Sequence, residues 1–494
     1  MDSIPTRISL QSHLGTLRYR GTLPIWPNTT ALGIEWDDQT RGKHSGCHNG
    51  VEYFKTSVPN SATFVKATRK FDEKRSFLDS LKGRYAPDEV DELEKIDITF
   101  GSKVAERVGF DKIRKLQAQL DRLSFVALDR QCIAYSSSGL SSLCPSVEDL
   151  DLSCNLFECL VDIAKITVQL PRLRLLRLNG NRIISWELPG EYEHAFENIQ
   201  VVSLVSTLIP LEYVSRLPIW FPSAQECSLA GNYLSSAVIR FSVRWKSLES
   251  LDLSFNEFKT IPSFKIPDDA TLAITSLNMS HNSISEIQST LWTQYQSTLK
   301  ALDLRHNNLK SWRDVDSLAA QLTTLTDARV QWNPFMDGMA EDEVQLAVIA
   351  RWAGLTALNG MKINEKERTN AEIYFMAKVA KRQVADFDLD CARWKQLCDI
   401  YGPPVEPEAV KTKKSVLGIV FVIDDEMKTR NVPRGLTVQR LKILVGKWYK
   451  VPAAFVELAL KDKDGTEVMF ENGLREIEYY GVDDGSEIEI RVKR

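Results

Sequence analysis

No stretch of this 494-residue chain stays apolar for long enough to cross a bilayer. The longest wholly apolar run, Val416 to Ile423 with one glycine inside, falls far short of the roughly 20 residues that a spanning helix needs. The start, Met1-Asp2-Ser3-Ile4-Pro5, lacks a basic segment followed by an apolar one, so no secretory leader is expected. Excess charge of one sign is missing too. The 62 Lys and Arg nearly balance 66 Asp and Glu, for a net charge of −4. That balance argues against a chain cationic throughout, such as a general nucleic-acid binder. The eight cysteines, at 47, 132, 144, 154, 159, 227, 391 and 398, form no CxxC pair and read as reduced thiols of a cytosolic protein. Signatures of catalysis are lacking as well: there is no GxxxxGK[ST] phosphate loop, no GxSxG elbow and no HExxH. These absences exclude a membrane protein, a disulfide scaffold and a disordered chain, and they predict no enzyme and no cofactor.

What the chain has is repetition. Leu150-Asp-Leu-Ser-Cys-Asn155 returns as Leu176–Asn181, Val202–Thr207, Cys227–Asn232, Leu251–Asn256, Leu277–Asn282, Leu302–Asn307 and Ala328–Asn333. Successive anchors lie 26, 26, 25, 24, 26, 25 and 26 residues apart, and a weaker copy, Val126–Gln131, precedes them. This is the LxLxxN pattern of leucine-rich repeats. The two apolar positions flank one outward residue on a short strand, and the Asn amide can satisfy backbone groups where the chain leaves that strand. The pattern predicts an α/β solenoid, whose ends need covering. Val344–Trp352, apolar at helical spacing, begins a helical C-terminal cap that continues to about residue 400.

The stretch from Gly402 to Lys414, rich in Pro, Glu and Lys, reads as an extended linker. Beyond it come a strand at Val416–Ile423, a second at Thr429–Val432, and an amphipathic helix capped by Thr437. Val438, Leu441, Leu444, Val445 and Trp448 are spaced along one face of that helix. Strands at Val456–Leu460 and Glu487–Val492 complete an α+β order that resembles the ubiquitin-like β-grasp. The sequence ends Val492-Lys-Arg494 without Gly-Gly, so a docking module is expected rather than a conjugated tag.

The first 70 residues are dense in glycine and short β-branched or aromatic strands: Gly15–Gly21, Leu32–Asp38, Arg41–Gly46 and Gly50–Phe54. Their order resembles an all-β CAP-Gly barrel, a module that reads acidic C-terminal tails. Nine Lys and Arg against five Asp and Glu make this head +4, and the remainder therefore −8. A basic, aromatic-bearing head on an acidic body suits capture of an acidic tail. The expected domains are 1–70 (CAP-Gly), 71–119 (helical connector), 120–400 (repeats with helical cap), 401–414 (linker) and 415–494 (ubiquitin-like).

A CAP-Gly head, leucine-rich middle and ubiquitin-like end, in that order, resemble the tubulin-folding cofactor E family over essentially the whole chain. Val104-Ala-Glu-Arg-Val-Gly-Phe-Asp-Lys112 before the repeats fits the same pattern. The resemblance implies a cytoplasmic, cytoskeleton-associated chaperone. It would bind the body and C-terminal tail of α-tubulin and, with cofactors B, C and D, assemble or dissociate αβ-tubulin heterodimers. It implies no nucleic-acid or membrane partner. The CAP-Gly loop Gly-Lys-Asn-Asp-Gly reads Gly42-Lys43-His44-Ser45-Gly46 here. Lys43 keeps the cation for a carboxylate, His44 keeps a polar side chain, and Ser45 drops a negative charge in a loop it is expected to loosen. Trp36, Phe64 and Lys66 complete the expected tail site. Trp26 stands in for an aromatic wall absent at Ala31-Leu32-Gly33.

On the solenoid, the outward strand residues include Asp252 and Asp303. With neighbouring Phe255, Arg305 and Trp332 they form the expected contact for a tubulin body. His281 and His306 occupy matching positions in adjacent repeats and read as surface positions rather than metal ligands. His44, Cys47 and His48 likewise lack a fourth ligand, so no metal is expected. A second function class stays open: a scaffold that links tubulin-tailed cargo to ubiquitin-handling machinery, with proteasome subunits as partners.

Overall fold

A computed structural model describes residues 4–86, 99–100, 103–104, 119–267, 272–285, 287, 295–384, 387–404, 415–424, 426–461 and 467–493. Most of the Val104–Lys112 motif, and the expected linker from residue 405 to 414, lie outside the described residues. The chain divides into two compact units, Met1–Pro404 and Val405–Arg494.

The first unit opens with four antiparallel strands: β1 (Thr6–Leu10), β2 (His13–Leu23), β3 (Trp26–Trp36) and β4 (Ala62–Lys66), paired in chain order. Ile8, Leu10, Leu17, Leu32, Ile34 and Trp36 fill their core. Arg7 is fully buried among them, paired with Asp37 and donating to Thr16 Oγ1 at 3.0 Å. Its charge is tolerable there only because the carboxylate meets it.

The repeats follow as one parallel sheet. Its strands run in register from Phe125–Ala127 through Asp149–Asp151, Leu175–Arg177 and onwards to Asp327–Arg329. Most strands bury their central residue between two exposed or half-exposed ones, as the LxL pattern predicts; Ala301–Asp303 departs by burying Asp303 as well. Inward leucines such as Leu150, Leu176, Leu251 and Leu253 join one continuous core that runs from Phe77 to Ala371. Burying each side chain of this size contributes about 1.5–3 kcal/mol.

The recurring asparagines hold the turns. Asn256 Nδ2 donates to Leu229 O in the preceding repeat and to Leu253 O in its own, both at 3.0 Å. Its Oδ1 accepts from Asn232 N and Leu234 N at 3.0 and 2.9 Å. Asn155, Asn181, Asn232, Asn282, Asn307 and Asn333 make the same pair of carbonyl bonds. Thr207, the one departure within the run, keeps an internal bond from Oγ1 to Leu204 O at 3.0 Å and is itself held by Asn232 Oδ1.

The solenoid's N-terminal closure differs from the expected connector over 71–119. Arg75–Ser76 pairs in parallel with Ile133–Tyr135, and the helix Phe77–Tyr85, capped by Ser76, buries Phe77 and Leu81 in the repeat core. The apolar face of the first repeat would otherwise meet water, so the closing turn is recruited from upstream. The repeat unit thus begins near Arg75 rather than at residue 120. At the other end, helices Glu341–Arg351 and Glu365–Ala380 form the cap.

The second unit, described by itself, is a five-stranded mixed sheet with one helix. Strand Glu426–Pro433 lies at one edge, next to Val416–Ile423, then Glu487–Val492, Val456–Lys461 and Glu467–Met469. Helix Val438–Tyr449, N-capped by Thr437, packs Val438, Leu441 and Val445 on that sheet.

Replacing Asn256 by Ala removes bonds to buried carbonyls in two repeats at once. We expect it to cost on the order of 3 kcal/mol and to lower the calorimetric melting temperature of the whole repeat transition. The exposed Asn308→Ala should leave that transition in place.

Candidate peptide groove and repeat surface

Phe64 is the centre of an aromatic groove on the head. It lies opposite Gly33 across the β3–β4 pair. Around its ring stand His44 at 4.8 Å, Tyr53 and Phe54 at 5.6 Å, Tyr19 at 6.0 Å and His48 at 6.2 Å, centroid to centroid. Most of these contacts are edge-to-face, the arrangement that aromatic quadrupoles favour.

Two glycines of the Gly42–Gly46 loop are required by close approach. A Cβ on Gly42 would sit 1.9 Å from Asn60 O, and one on Gly46 would sit 1.8 Å from Phe54 O, with φ already at +96°. The loop is pinned to β4 by Lys43 N to Ala62 O at 2.8 Å and Ala62 N to His44 O at 2.9 Å. Ser45 tightens the loop rather than loosening it, because its Oγ accepts from Asn60 N at 2.8 Å.

Lys43 is exposed and has no ion-pair partner among the described residues. His44 Nδ1 accepts from Gly46 N at 3.1 Å, a bond that only the neutral ring can make through that atom. Burial, and then the neighbouring His48, hold its pKa below the ordinary 6.5. Neutral His44 beside unpaired Lys43 presents a donor and a cation to a carboxylate.

Three expected groove residues fall elsewhere. Trp36 belongs to the barrel core, 4 % exposed, with its Nε1 donating to Thr63 Oγ1 at 2.7 Å and Arg41 over its ring. A tail can reach it only by opening the barrel. Trp26 and Lys66 pair with each other, the ammonium 5.6 Å from the ring centroid, and Trp26 makes no ring contact with the Phe64 group among the described residues. The wall assigned to Trp26 is supplied instead by Tyr19, Tyr53 and Phe54. Their signal was present in Arg18-Tyr19-Arg20 and Tyr53-Phe54, but nothing local says that strand pairing will turn them onto Phe64.

On the solenoid the expected residues separate into two groups. Asp303 is buried, gripped by the guanidinium of Arg305 through two Nε contacts at 3.0 Å, with Arg329 at 3.9 Å. Asp252 accepts from Ser254 N at 3.0 Å and Ser228 Oγ at 2.9 Å. Both carboxylates therefore help to shape the strand ends, and Asp303 is already neutralised by its neighbours.

Phe255 and Trp332 are more than half exposed, and they are the ends of a ladder. Phe255 stacks on His281 at 4.0 Å, His281 on His306 at 4.1 Å, and His306 on Trp332 at 4.4 Å, all near parallel. All four residues adopt left-handed backbone, φ +52° to +57°, at the position just before the repeat Asn or its equivalent. The two histidines, read from sequence as bland surface positions, are the middle rungs. Among the described residues no group of three or more metal-ligating side chains is found.

A CAP-Gly family model matches residues 4–70, and a leucine-rich-repeat model matches residues 247–268. Tubulin-specific chaperone E of Xenopus laevis is 29% identical across 98% of this chain and 98% of its own length. The Homo sapiens protein of the same name is 27% identical across 99% of this chain and 98% of its own length. Protein PAC2 of Saccharomyces cerevisiae is 28% identical, covering 81% of this chain and 77% of its own length.

Over nearly its whole length the chain is similar to proteins named tubulin-specific chaperone E. Its three modules are the CAP-Gly, leucine-rich and ubiquitin-like parts expected of a chaperone E chain.

Because the folded His44 binds its proton less readily than the unfolded one, its contribution to stability is intact above about pH 6.5 and is lost as pH falls below it. Head stability of wild type relative to His44→Gln, followed by tryptophan fluorescence in urea, should therefore decline from pH 7 to pH 5. A flat difference would mean that the imidazole is free of its Gly46 bond.

Proposed function

We propose that this chain is a tubulin chaperone without enzymatic activity. It takes the acidic tail of α-tubulin in the Phe64 groove and contacts the tubulin body with its solenoid. With cofactors B, C and D it assembles or dissociates αβ-tubulin heterodimers in the cytoplasm. The observation that carries this reading is the groove: unpaired Lys43 and neutral His44 beside an aromatic floor, on a head of net charge +4. A chain end with a carboxylate, acidic residues and a ring would find a cation, a donor and edge-to-face partners there. The end-to-end similarity to proteins named tubulin-specific chaperone E supports the identity of the client.

The solenoid supports the second contact. A tail peptide offers a short flexible ligand, whereas a folded client needs a rigid surface of the size that stacked repeats provide. Joining both contacts in one chain raises the effective concentration of each for the other. The scaffold reading has no comparable observation behind it. The strands of the ubiquitin-like sheet carry ion pairs, Arg491 with Glu489 and Glu467 and Lys461 with Glu489, alongside exposed apolar side chains such as Met427, Val468 and Val492.

Lys43→Glu should weaken binding of an α-tubulin tail peptide by about 1–3 kcal/mol in calorimetry, since a charge-assisted bond becomes a repulsion. High salt should erode the wild-type affinity. Equal affinities would remove the loop from the site. Sizing chromatography with intact αβ-tubulin, with and without the partner cofactors, tests the chaperone reading. Retention by proteasome subunits with no effect on dimers would favour the scaffold.

A further inference from the structure

The aromatic ladder stops abruptly at Phe255, and the reason is the next residue in the column. The repeat before it places Gly231 there, at φ +66°, with no side chain of its own to cover the ring; the nearest group is the Ser206 hydroxyl, 2.7 Å from where a Cβ would stand and free to turn aside. Phe255 is 59 % exposed in consequence. The charge around this end is one-sided. Between Arg177 and the strand Ala301–Asp303 the outward strand positions carry no cation, only Glu226 and Asp252, and neither has an ion-pair partner among the described residues. Elsewhere on the same face Asp149 pairs with Arg177 and Asp303 with Arg305 and Arg329, while Asp151 and Asp327 have cations only further along the strands, at Arg177 and Arg329.

We propose that the bare face of Phe255 above Gly231 is a slot for an arginine side chain presented by the body of the client. A planar guanidinium fits the 4.0–4.4 Å spacing of the existing rungs and would continue the stack by one. The ring face is the negative side of its quadrupole, and stacking on it attracts a cation. Asp252, three residues before Phe255, and Glu226, at the start of the Gly231 repeat, supply the compensating charge. A lysine ammonium satisfies the charge but cannot stack, so arginine is favoured.

This inference rests on the tubulin reading, and its test is arranged so that the two can fail separately. The full chain is titrated with αβ-tubulin whose acidic tails have been removed, which silences the head groove. Wild type should bind. Phe255→Leu, which keeps bulk but loses the π face, should weaken binding roughly tenfold, and Phe255→Trp should retain it. Gly231→His would fill the slot with an imidazole, as His281 and His306 already do at this backbone conformation, and should weaken binding as much. Asp252→Asn keeps the acceptor for Ser254 N and should weaken binding severalfold. Tail-peptide affinity should be unchanged in all four. Unaltered affinity in both Phe255→Leu and Gly231→His overturns the slot. So does a wild type that binds intact but not tail-less dimers, which leaves the groove reading standing. Failure of wild type to bind either form overturns both.

Discussion

A buried amide that serves two repeats at once is the constraint on which the solenoid depends. Each asparagine reaches one carbonyl of its own repeat and one of the repeat before, while its oxygen takes backbone N–H groups from that preceding turn. Apart from the half-buried Asn282, these amides are out of water, so each of their groups would be costly to leave unmet. The spacing of 24 to 26 residues is therefore fixed by where the next amide must arrive, and the loops between absorb the variation. Strand register, the shared leucine core and the line of left-handed residues all follow from that placement.

The head is attached by the same logic applied once. Glu158, in the second repeat, accepts from Thr6 Oγ1 at 2.6 Å, from Arg7 N at 2.9 Å and from Lys74 Nζ at 2.8 Å. These bonds lower its pKa despite the opposing effect of burial. Half-exposed ion pairs contribute little by themselves. The seal is made by the Arg75–Ser76 strand and by Phe77 and Leu81, which commit the chain leaving the head to the solenoid core. The polar contacts then select one orientation of the head.

Legibility in the sequence tracked the distance over which each feature is determined. The repeat register was readable because every anchor carries the same local pattern, and the Thr437 cap and its helix were readable from one turn of sequence. The groove was half readable. Its loop glycines and Lys43 lie in one segment, but the wall of Tyr19, Tyr53 and Phe54 exists only through pairing of β2, β3 and β4. Trp36 looked like a binding aromatic and is a core residue, since it ends the run Ala31–Trp36 of β3 that is buried on both faces. Asp303 looked like a free outward carboxylate. Its neutralisation depends on Arg305, two residues on, bending back over it, and on Arg329 one repeat away. The ladder needed the backbone: His281 and His306 were visible as a matched pair, but that they stack between Phe255 and Trp332 follows from a shared left-handed dihedral.

That dihedral separates two kinds of information along the chain. At the position before the amide or its equivalent, residues as unlike as Arg130, Cys154, Ser206, Phe255, His306 and Trp332 adopt the same conformation, φ between +52° and +57°. The conformation costs a non-glycine residue something, but the cost is similar whatever unbranched side chain is attached. Valine, isoleucine and threonine are penalised there, whereas most other residues can be exchanged with little consequence for the fold. One residue in each repeat thus encodes shape, and the one immediately before it encodes surface. A solenoid organised in this way can change what it recognises along that edge without renegotiating how it folds.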